Sequence, residues 1–421
     1  MNRSADVLIC GAGIAGIAAA YSLSVTHGVG NVVLVDERAP LTLTSDKSTE
    51  AYRNWWPGPD DSMVRFMNRN IDLLEQHAVA SGNRFLLNRR GYVYTTTNTE
   101  KAHRFESDAL LAERQGAGGV RVYESVDTCD YRESASVGFA GHPDGADLFL
   151  DQRAIRRHFG WLAPDIVAVL HARRCGWFSG QQLGMYLLEE AKLAGTSMLS
   201  GRVESVERRA GRVASVAVRL ADGSLTLVDT SAFVNAAGPF AKEVAALAGA
   251  SLPVFSELHL KVGFEDVLGA VHRNTGLVIL DDEQRLEWTS EERDELAASD
   301  ETRWMTETMP AGIHLRPEGY HNGSSVLMLW DYHSTHRYER ATFPLPDDPF
   351  YPEVVMRGMV KLVPALSRYV DRMPRVHVDG GYYTKTNENR PLVGPLPVEG
   401  TFVTAAFSGF GLMAAPAAGE L

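Results

Sequence analysis

The sequence predicts a mixed α/β protein, α+β overall, with one largely parallel sheet and one antiparallel sheet whose segments interleave along the chain. Three observations predict it. A glycine-punctuated strand–turn–helix–strand unit fills residues 5–40. A second strand ending in small residues, "FVNAAGPFA", follows a three-strand meander within 201–241. An alternating run, "SELHLKVGFE" at 256–265, has the period of a strand with one buried face: Leu258, Leu260, Val262 and Phe264 share that face, His259 and Lys261 the other. The 421 residues, 45% of them hydrophobic, suffice for two domains sharing a core.

The first unit carries the most specific signal. Val7–Cys10 reads as a buried strand, Gly11-Ala12-Gly13-Ile14-Ala15-Gly16 as a tight turn, Ile14 to about Ser24 as a helix, and Val32–Val35 as a second strand ended by Asp36. This is a Rossmann-like dinucleotide fingerprint in the context it needs. Gly11 permits the turn, Gly13 lets backbone meet a pyrophosphate, and Gly16 lets helix and strand pack closely. The N–H groups around Ile14 and Ala15, with the helix dipole, favour phosphate. Asp36 is placed to accept from a ribose, with Glu37 and Arg38 beside it, and an acid there disfavours a 2′-phosphate. NAD and FAD are not separable on this unit alone.

Further along, Val203–Val206, Val213–Leu220 and Leu225–Asp229 form the meander, with Asp222-Gly223 as a hairpin turn. Phe233–Ala236 is another buried strand, ending in Ala237-Gly238-Pro239, where small residues allow close backbone approach. "YYTKTNENRPLVGPLP" and the closing "FSGFG" follow in the last forty residues. With the N-terminal unit and VNAAGPFA, these pieces resemble the D-amino-acid oxidase superfamily of FAD-dependent oxidoreductases, which includes glycine oxidase and monomeric sarcosine oxidase.

The resemblance implies FAD and a flavin-binding domain assembled from residues 1–100, 178–250 and 375–421, with 101–177 and 251–374 as an antiparallel substrate domain. It implies that Val203, Ala237 and Gly238 lie against the cofactor. It also implies that Gly409, Phe410, Gly411, Leu412 and Met413 sit by the flavin pyrimidine, where a helix N-terminus stabilises the charge of reduced flavin. Pro416 is expected near the first turn of that helix. Relatives run on past it, so a short segment beyond Leu421 is expected. Some relatives attach flavin covalently, through a Cys whose place here is Gly381, or a His in the first loop; "TSDKSTEAYRNWWP" at 44–57 has none. FAD is therefore expected to be non-covalent, with Ser45, Ser48 and Thr49 as hydroxyl donors and Arg53 near the isoalloxazine.

The residues that grip a substrate carboxylate in relatives fall here on Tyr383, Trp56 and Met413, and an oxygen-activating Lys falls on Met328. Trp56, Met328, Tyr383, Phe410 and Met413 would thus make an aromatic, sulfur-rich pocket. Such a pocket cannot hold a bare carboxylate without a large desolvation cost. Either Arg53, Lys261 or Arg316 supplies the cation, or the substrate is bulkier and less polar. Lys261 is also a candidate oxygen-activating group. No obligatory acid or base is expected, because hydride transfer from a neutral amine needs mainly positioning.

Composition narrows the rest. A formal charge of -12 without a long basic run argues against nucleic acid. Three cysteines without paired spacing suit a reducing, cytoplasmic setting. No apolar run reaches the ~18 residues of a membrane span. Tyr332-His333-Ser334-Thr335-His336 lacks a third ligand, so no metal is expected. The acidic stretch 281–308 reads as a mostly exposed helix. The expected function is oxidation of a C–N bond in an amino acid or secondary amine, with O2 or another redox partner as acceptor and the oligomeric state open. The alternative is a flavin-containing electron-transfer or assembly subunit with little turnover of its own. Oxidation of a C–O bond in a phosphorylated substrate would need a basic cluster that is not evident.

Overall fold

The computed structural model describes residues 3–319 and 323–421. Among them, two nine-stranded sheets dominate. The first runs in the order Arg3–Ser4, Leu225–Asp229, Arg212–Leu220, Ser197–Arg209, Val32–Asp36, Val7–Cys10, Phe233–Asn235, Thr401–Ala405, Leu392–Pro395. Its centre is parallel: Val7–Cys10 pairs in parallel with Val32–Asp36 on one side and Phe233–Asn235 on the other, and the latter with Thr401–Ala405. The long strand Ser197–Arg209 belongs to both halves of this sheet. Its start runs parallel to Val33–Asp36, and from Gly201 onward it turns into the antiparallel meander.

The second sheet runs in the order Val376–Lys385, Phe255–Glu265, Ser325–Leu329, Ile313–Pro317, Leu277–Leu280, Tyr92–Thr96, Ala168–Ala172, Ala146–Phe149, Val120–Tyr123. Tyr92–Thr96 and Val376–Lys385 therefore pair in this sheet, although both fall within segments expected on the cofactor side. The alternation at 256–265 is that of a strand: Leu258, Leu260, Val262 and Phe264 are buried in one cluster with the helix Tyr351–Val360. The opposite face, with Glu257, His259 and Lys261, looks toward the loop 44–49.

Three helices lie under the parallel strands, two of them rich in small residues. Ile14–Tyr21, which continues as a π-helical stretch Ser22–Thr26, packs between Gly180–Leu193 and Gly411–Glu420. The run of Ala and Gly in the last helix follows from that closeness, since a Cβ on Gly419 would lie 2.7 Å from Ala18 O. Pro416 stands inside this helix rather than in its first turn, a correction to the sequence reading. It is tolerated there because the helix is short and wrapped in neighbours.

The acidic stretch is also less helical than expected. Only Ser290–Ala298 is an α-helix, opened by a reciprocal cap between Thr289 and Glu292, and Arg303–Thr306 adds a 3-10 turn. Gln284–Arg285 pairs with Thr308–Met309, and Leu286, Met305 and Met309 are buried. Apolar residues near both ends pin the excursion to the core, which leaves room for one exposed helix.

Gly16 is the tightest point of the first unit: a Cβ there would lie 1.9 Å from Gly11 O. Gly16→Val should cost about 3 kcal/mol and lower the melting temperature and flavin content together. Gly30→Ala, where nothing lies within 4 Å, is the control and should be close to neutral. Equal behaviour of the two variants in thermal denaturation would refute this packing role.

Candidate functional site

A cavity of about 490 Å³ lies over the C-terminal ends of the parallel strands, and a second of about 90 Å³ adjoins it. Gly13, Thr44, Ser45, Ala236, Gly238 and Pro239 line both, so they are two parts of one cleft.

The larger part is built by the N-terminal unit. Gly11 has φ +109°, and a Cβ there would lie 2.4 Å from Ala236 O, so glycine is required on both counts. Asp36 accepts from Ala12 N at 2.8 Å and from Arg38 N at 2.9 Å, which fixes the carboxylate at the strand end. Arg38 lies over the Phe240 and Phe343 rings at 5.8 and 5.6 Å. Asp36, Glu37, Arg38, Val203, Ala237 and Gly238 all line this cavity. At the helix head, Ile14 N donates to Ser45 Oγ at 3.0 Å, so a serine oxygen now occupies a position suited to an anion.

The smaller part is lined by Ile14, Ala15, Ser48, Tyr383, Gly409, Gly411 and Leu412, among others. Its floor is the turn after Thr401–Ala405. Here the left-handed residues are Ala406 and Ser408, at φ 58° and 52°, while the glycines are not left-handed. Gly409 serves clearance instead: a Cβ would meet the Tyr383 ring at 2.8 Å. Strain at two non-glycine residues beside a cavity is the pattern of a functional turn.

The second sheet clamps the loop between these parts. Thr44 Oγ1 donates to Tyr382 O at 2.8 Å, and Lys47 pairs with Asp379 at 2.9 Å. Lys261 Nζ donates to Asp46 O and Ser48 O, each at 3.2 Å, and Arg316 Nε donates to Thr49 O at 2.8 Å. Burial pushes the Lys261 ammonium down despite nearby Glu50, Asp379 and Asp46. Thr49 thus meets Arg316 through its carbonyl. Gly381 faces the same loop, with Lys47 Cβ 3.2 Å and Thr44 Cα 3.3 Å from where a side chain would begin.

Beyond the turn lies an aromatic group. Arg53, on the strand Ala51–Arg53, packs 4.2 Å over the Trp56 ring, and Trp56 meets Phe410 edge-on at 5.1 Å. Arg53 Nη1 donates to Tyr94 Oη at 2.9 Å, while its buried Nε has no partner. Burial opposes the guanidinium charge, but Tyr94 and Tyr92 outweigh it and its pKa moves up. On the strand Ile313–Pro317 of the second sheet, burial, together with the charges of Arg53 and Arg316, pushes His314 down to about 4. Its Nδ1 lies 2.8 Å from Gly312 O and therefore donates. Tyr383 stacks on His259 at 3.9 Å.

Two expectations fail. Met328 is fully buried on the opposite face of the second sheet, paired with Val262 and packed among Leu260 and Met359, so it is no part of the pocket. A methionine at 328 therefore says nothing about the electron acceptor; Lys261 stands on the cleft side instead. Met413 is likewise buried in the core with the first helix rather than in the slot, whereas Gly16 serves the close packing expected of it. Among the residues the sequence reading missed, Thr44, Phe240 and Phe343 carried no local signal. Tyr94 did: Tyr92 and Tyr94 alternate in one strand and so share a face.

For the metal, His333 Nε2 pairs with Asp348 at 2.9 Å, and the side chains of Ser334 and Thr335 lie outside the described residues. Among the described residues, Glu257, His259 and Asp331 have ligand atoms within 4.8 Å of one another, but the Lys385 ammonium already sits on Glu257. No helix among the described residues is long and apolar enough to cross a membrane.

The fold and cleft define a two-sheet dinucleotide-binding protein. More specifically, the chain belongs to the DAO family of FAD dependent oxidoreductases, whose model matches residues 6–421. Solved structures agree on the fold. L-proline dehydrogenase from P. horikoshii superposes with TM-score 0.73 at 17% identity, covering 100% of this chain and 92% of that one. Glycine oxidase from Geobacillus kaustophilus gives 0.72 at 16%, covering 99% and 93%. L-amino acid deaminase from Proteus vulgaris gives 0.70 at 15%, covering 100% and 93%. Comparison with curated proteins by sequence finds no match. The cleft suits the cofactor: bare backbone and a helix head stand where a pyrophosphate would pass, and a narrower slot continues to the strained turn.

His314 gives a pH signature. Its folded pKa, about 4, lies below the ordinary 6.5, so the unfolded chain takes up the proton first. Its contribution is complete above pH 6.5 and is lost as pH falls toward 4. His314→Asn should flatten the stability profile by about 3 kcal/mol over that window. Parallel profiles of variant and parent, measured by denaturant melts, would show that His314 titrates normally.

Proposed function

We propose that this protein oxidises a carbon–nitrogen bond of an amino acid or secondary amine. The observation that carries the reading is electrostatic. At the cofactor end of the cleft Arg53 has no acidic partner among the described residues and stands near a His314 that is neutral near pH 7, whereas Lys261 and Arg316 stand beside Glu50 and Glu318. Such a surface disfavours an ammonium and favours the neutral amine, the form whose lone pair assists loss of hydride from the α-carbon. Glycine oxidase, L-proline dehydrogenase and L-amino acid deaminase carry names of the same chemistry.

FAD, when bound, would accept the hydride, leaving an iminium that water hydrolyses to a carbonyl compound and an amine or ammonia. The chain's own residues bind and orient. Ser45, Ile14 and Gly13 hold the phosphate passage open, while Lys47, Lys261 and Arg316 keep the loop 44–49 in place over it. The N–H groups at Gly411 and Leu412 head the last helix and favour negative charge in the slot they line. Trp56, Phe410 and Tyr383 exclude water from the reacting end. FAD is held non-covalently: Gly381 offers no nucleophile. Cys10, which lines the cleft, is kept a thiol because burial pushes it up to about 12.

The test is the visible spectrum of the anaerobic holoprotein with a panel of amino acids and secondary amines. One class should bleach the oxidised flavin band. Bleaching by dithionite but by no member of the panel would refute C–N oxidation. Re-oxidation by O2, set against an artificial acceptor, then assigns oxidase or dehydrogenase.

A further inference from the structure

The wide end of the cleft is not made by the first sheet and its helices alone. Arg340, Ala341 and Phe343 line it together with Asp36, Arg38 and Val203. These three lie on the segment that leads into the helix Tyr351–Val360, and Ala341 is buried in the core beneath the second sheet. The segment is tied to that sheet at its start: Tyr338 N donates to Ser256 O at 2.7 Å, and Ser256 N donates back to Tyr338 O at 2.9 Å. It then reaches the helix Ala241–Leu247, which follows a strand of the first sheet. Glu339 pairs there with Lys242, and Arg340 with Glu243 at 3.6 Å.

Phe343 is aimed as well as tethered. It meets Tyr382 edge-on at 5.7 Å, and Thr342 Oγ1 beside it lies 3.1 Å from Tyr382 Oη. Its ring stays 36% exposed and stands 6.0 Å from the Phe240 ring. Arg38 spans the two, 5.6 Å from Phe343 and 5.8 Å from Phe240. Two rings and a planar guanidinium thus form a corner that offers π faces. All three line the larger cavity and none lines the slot at the reacting end. Asp36, fixed at its strand end where a ribose would be met, shares that part of the cleft. The group that suits such a corner is a flat heteroaromatic base, which stacks on aromatic rings and under guanidinium groups.

We propose that residues 338–345 are a strap from the second sheet that closes over the adenine of FAD, with Phe343 as the ring that stacks on the base. The cofactor then ties the two sheets together at the end farthest from the chemistry. The claim goes beyond the reaction, because it holds whichever bond the flavin oxidises. The ion pairs that hold the strap to the helix are exposed, with the Glu339 and Arg340 side chains at 81% and 77%, and exposed pairs contribute little. The strap is therefore light enough to lift when FAD enters, and the stacked base supplies what keeps it down.

The experiment reads the release of FAD rather than turnover. The holoprotein is diluted into excess ADP as a trap, and the rise in flavin fluorescence is followed. Phe343→Ala should release FAD about 10-fold faster, with the visible band of the bound flavin unchanged. Phe343→Trp should release it no faster than the parent. Phe402→Ala, which removes a similarly exposed ring outside the cleft, is the control and should match the parent. Release from Phe343→Ala at the parent's rate overturns the proposal. So does a faster release matched by an equal loss of stability in the flavin-stripped variant, which would make Phe343 a packing residue. Trypsin gives a second reading that needs no variant. In the flavin-stripped protein the bond after Arg340 should be cut several-fold more slowly with saturating ADP than without it, measured against cuts away from the cleft, and FMN at the same concentration should not protect it. Equal cutting after Arg340 with and without ADP overturns the proposal.

Discussion

Everything in this protein depends on how closely the first helix approaches the strands it crosses. Gly11 and Gly16 bring the helix head to the ends of Val7–Cys10 and Phe233–Asn235, with Gly11 fitting under Ala236 O. That contact turns the helix head, with Ile14 N held by Ser45 Oγ, toward the cleft and lets the last helix, with its own Ala and Gly face, lie against the first. Because the last helix is held there, the strained turn at 406–410 is held beside the narrow slot. A larger residue at any of these points would separate cofactor phosphate from reacting end.

The second sheet acts on the same cleft from above, and does so through backbone. Its cations Lys261 and Arg316 hold carbonyls of the loop 44–49, and Thr44 and Lys47 reach back to the strand Val376–Lys385. A loop with little regular structure is thereby fixed by groups far away in sequence, which is how such a loop comes to line a precise site. The same sheet brings Tyr94, His314 and Tyr383 toward the reacting end, so the roof supplies both the clamp and the substrate side of the pocket.

How much of this was legible follows from distance along the chain. The N-terminal unit could be read because its strand, turn, helix and terminal acid lie within forty residues and each type has one steric reason. The turn at 407–411 was read in part. Its glycines suggested special backbone angles, yet the left-handed residues are Ala406 and Ser408, and Gly409 makes room for Tyr383. Met328 was misplaced because its face depends on the register between two strands more than sixty residues apart. Val262 was correctly put on the core face, and Met328 pairs with it, but pairing is not written in either strand. Arg53 could be named as a cation near the flavin, but that it lies half-buried with no acidic partner among the described residues is a fact of three dimensions. The helix predicted over 281–308 failed for a similar reason, since Leu286, Met305 and Met309 find a core that the acidic stretch does not announce.

The central claim is that the cleft is shaped for the whole dinucleotide, with most of its grip on the adenosine and phosphate half. Calorimetric titration of the flavin-stripped protein with FAD, FMN and ADP tests it most directly. FAD should bind tightly, ADP should bind alone and compete with it, and FMN should bind at least a thousandfold more weakly than FAD. FMN binding as tightly as FAD, or ADP failing to bind at all, would contradict the account of the site from Gly11 to Arg38 on which the rest is built.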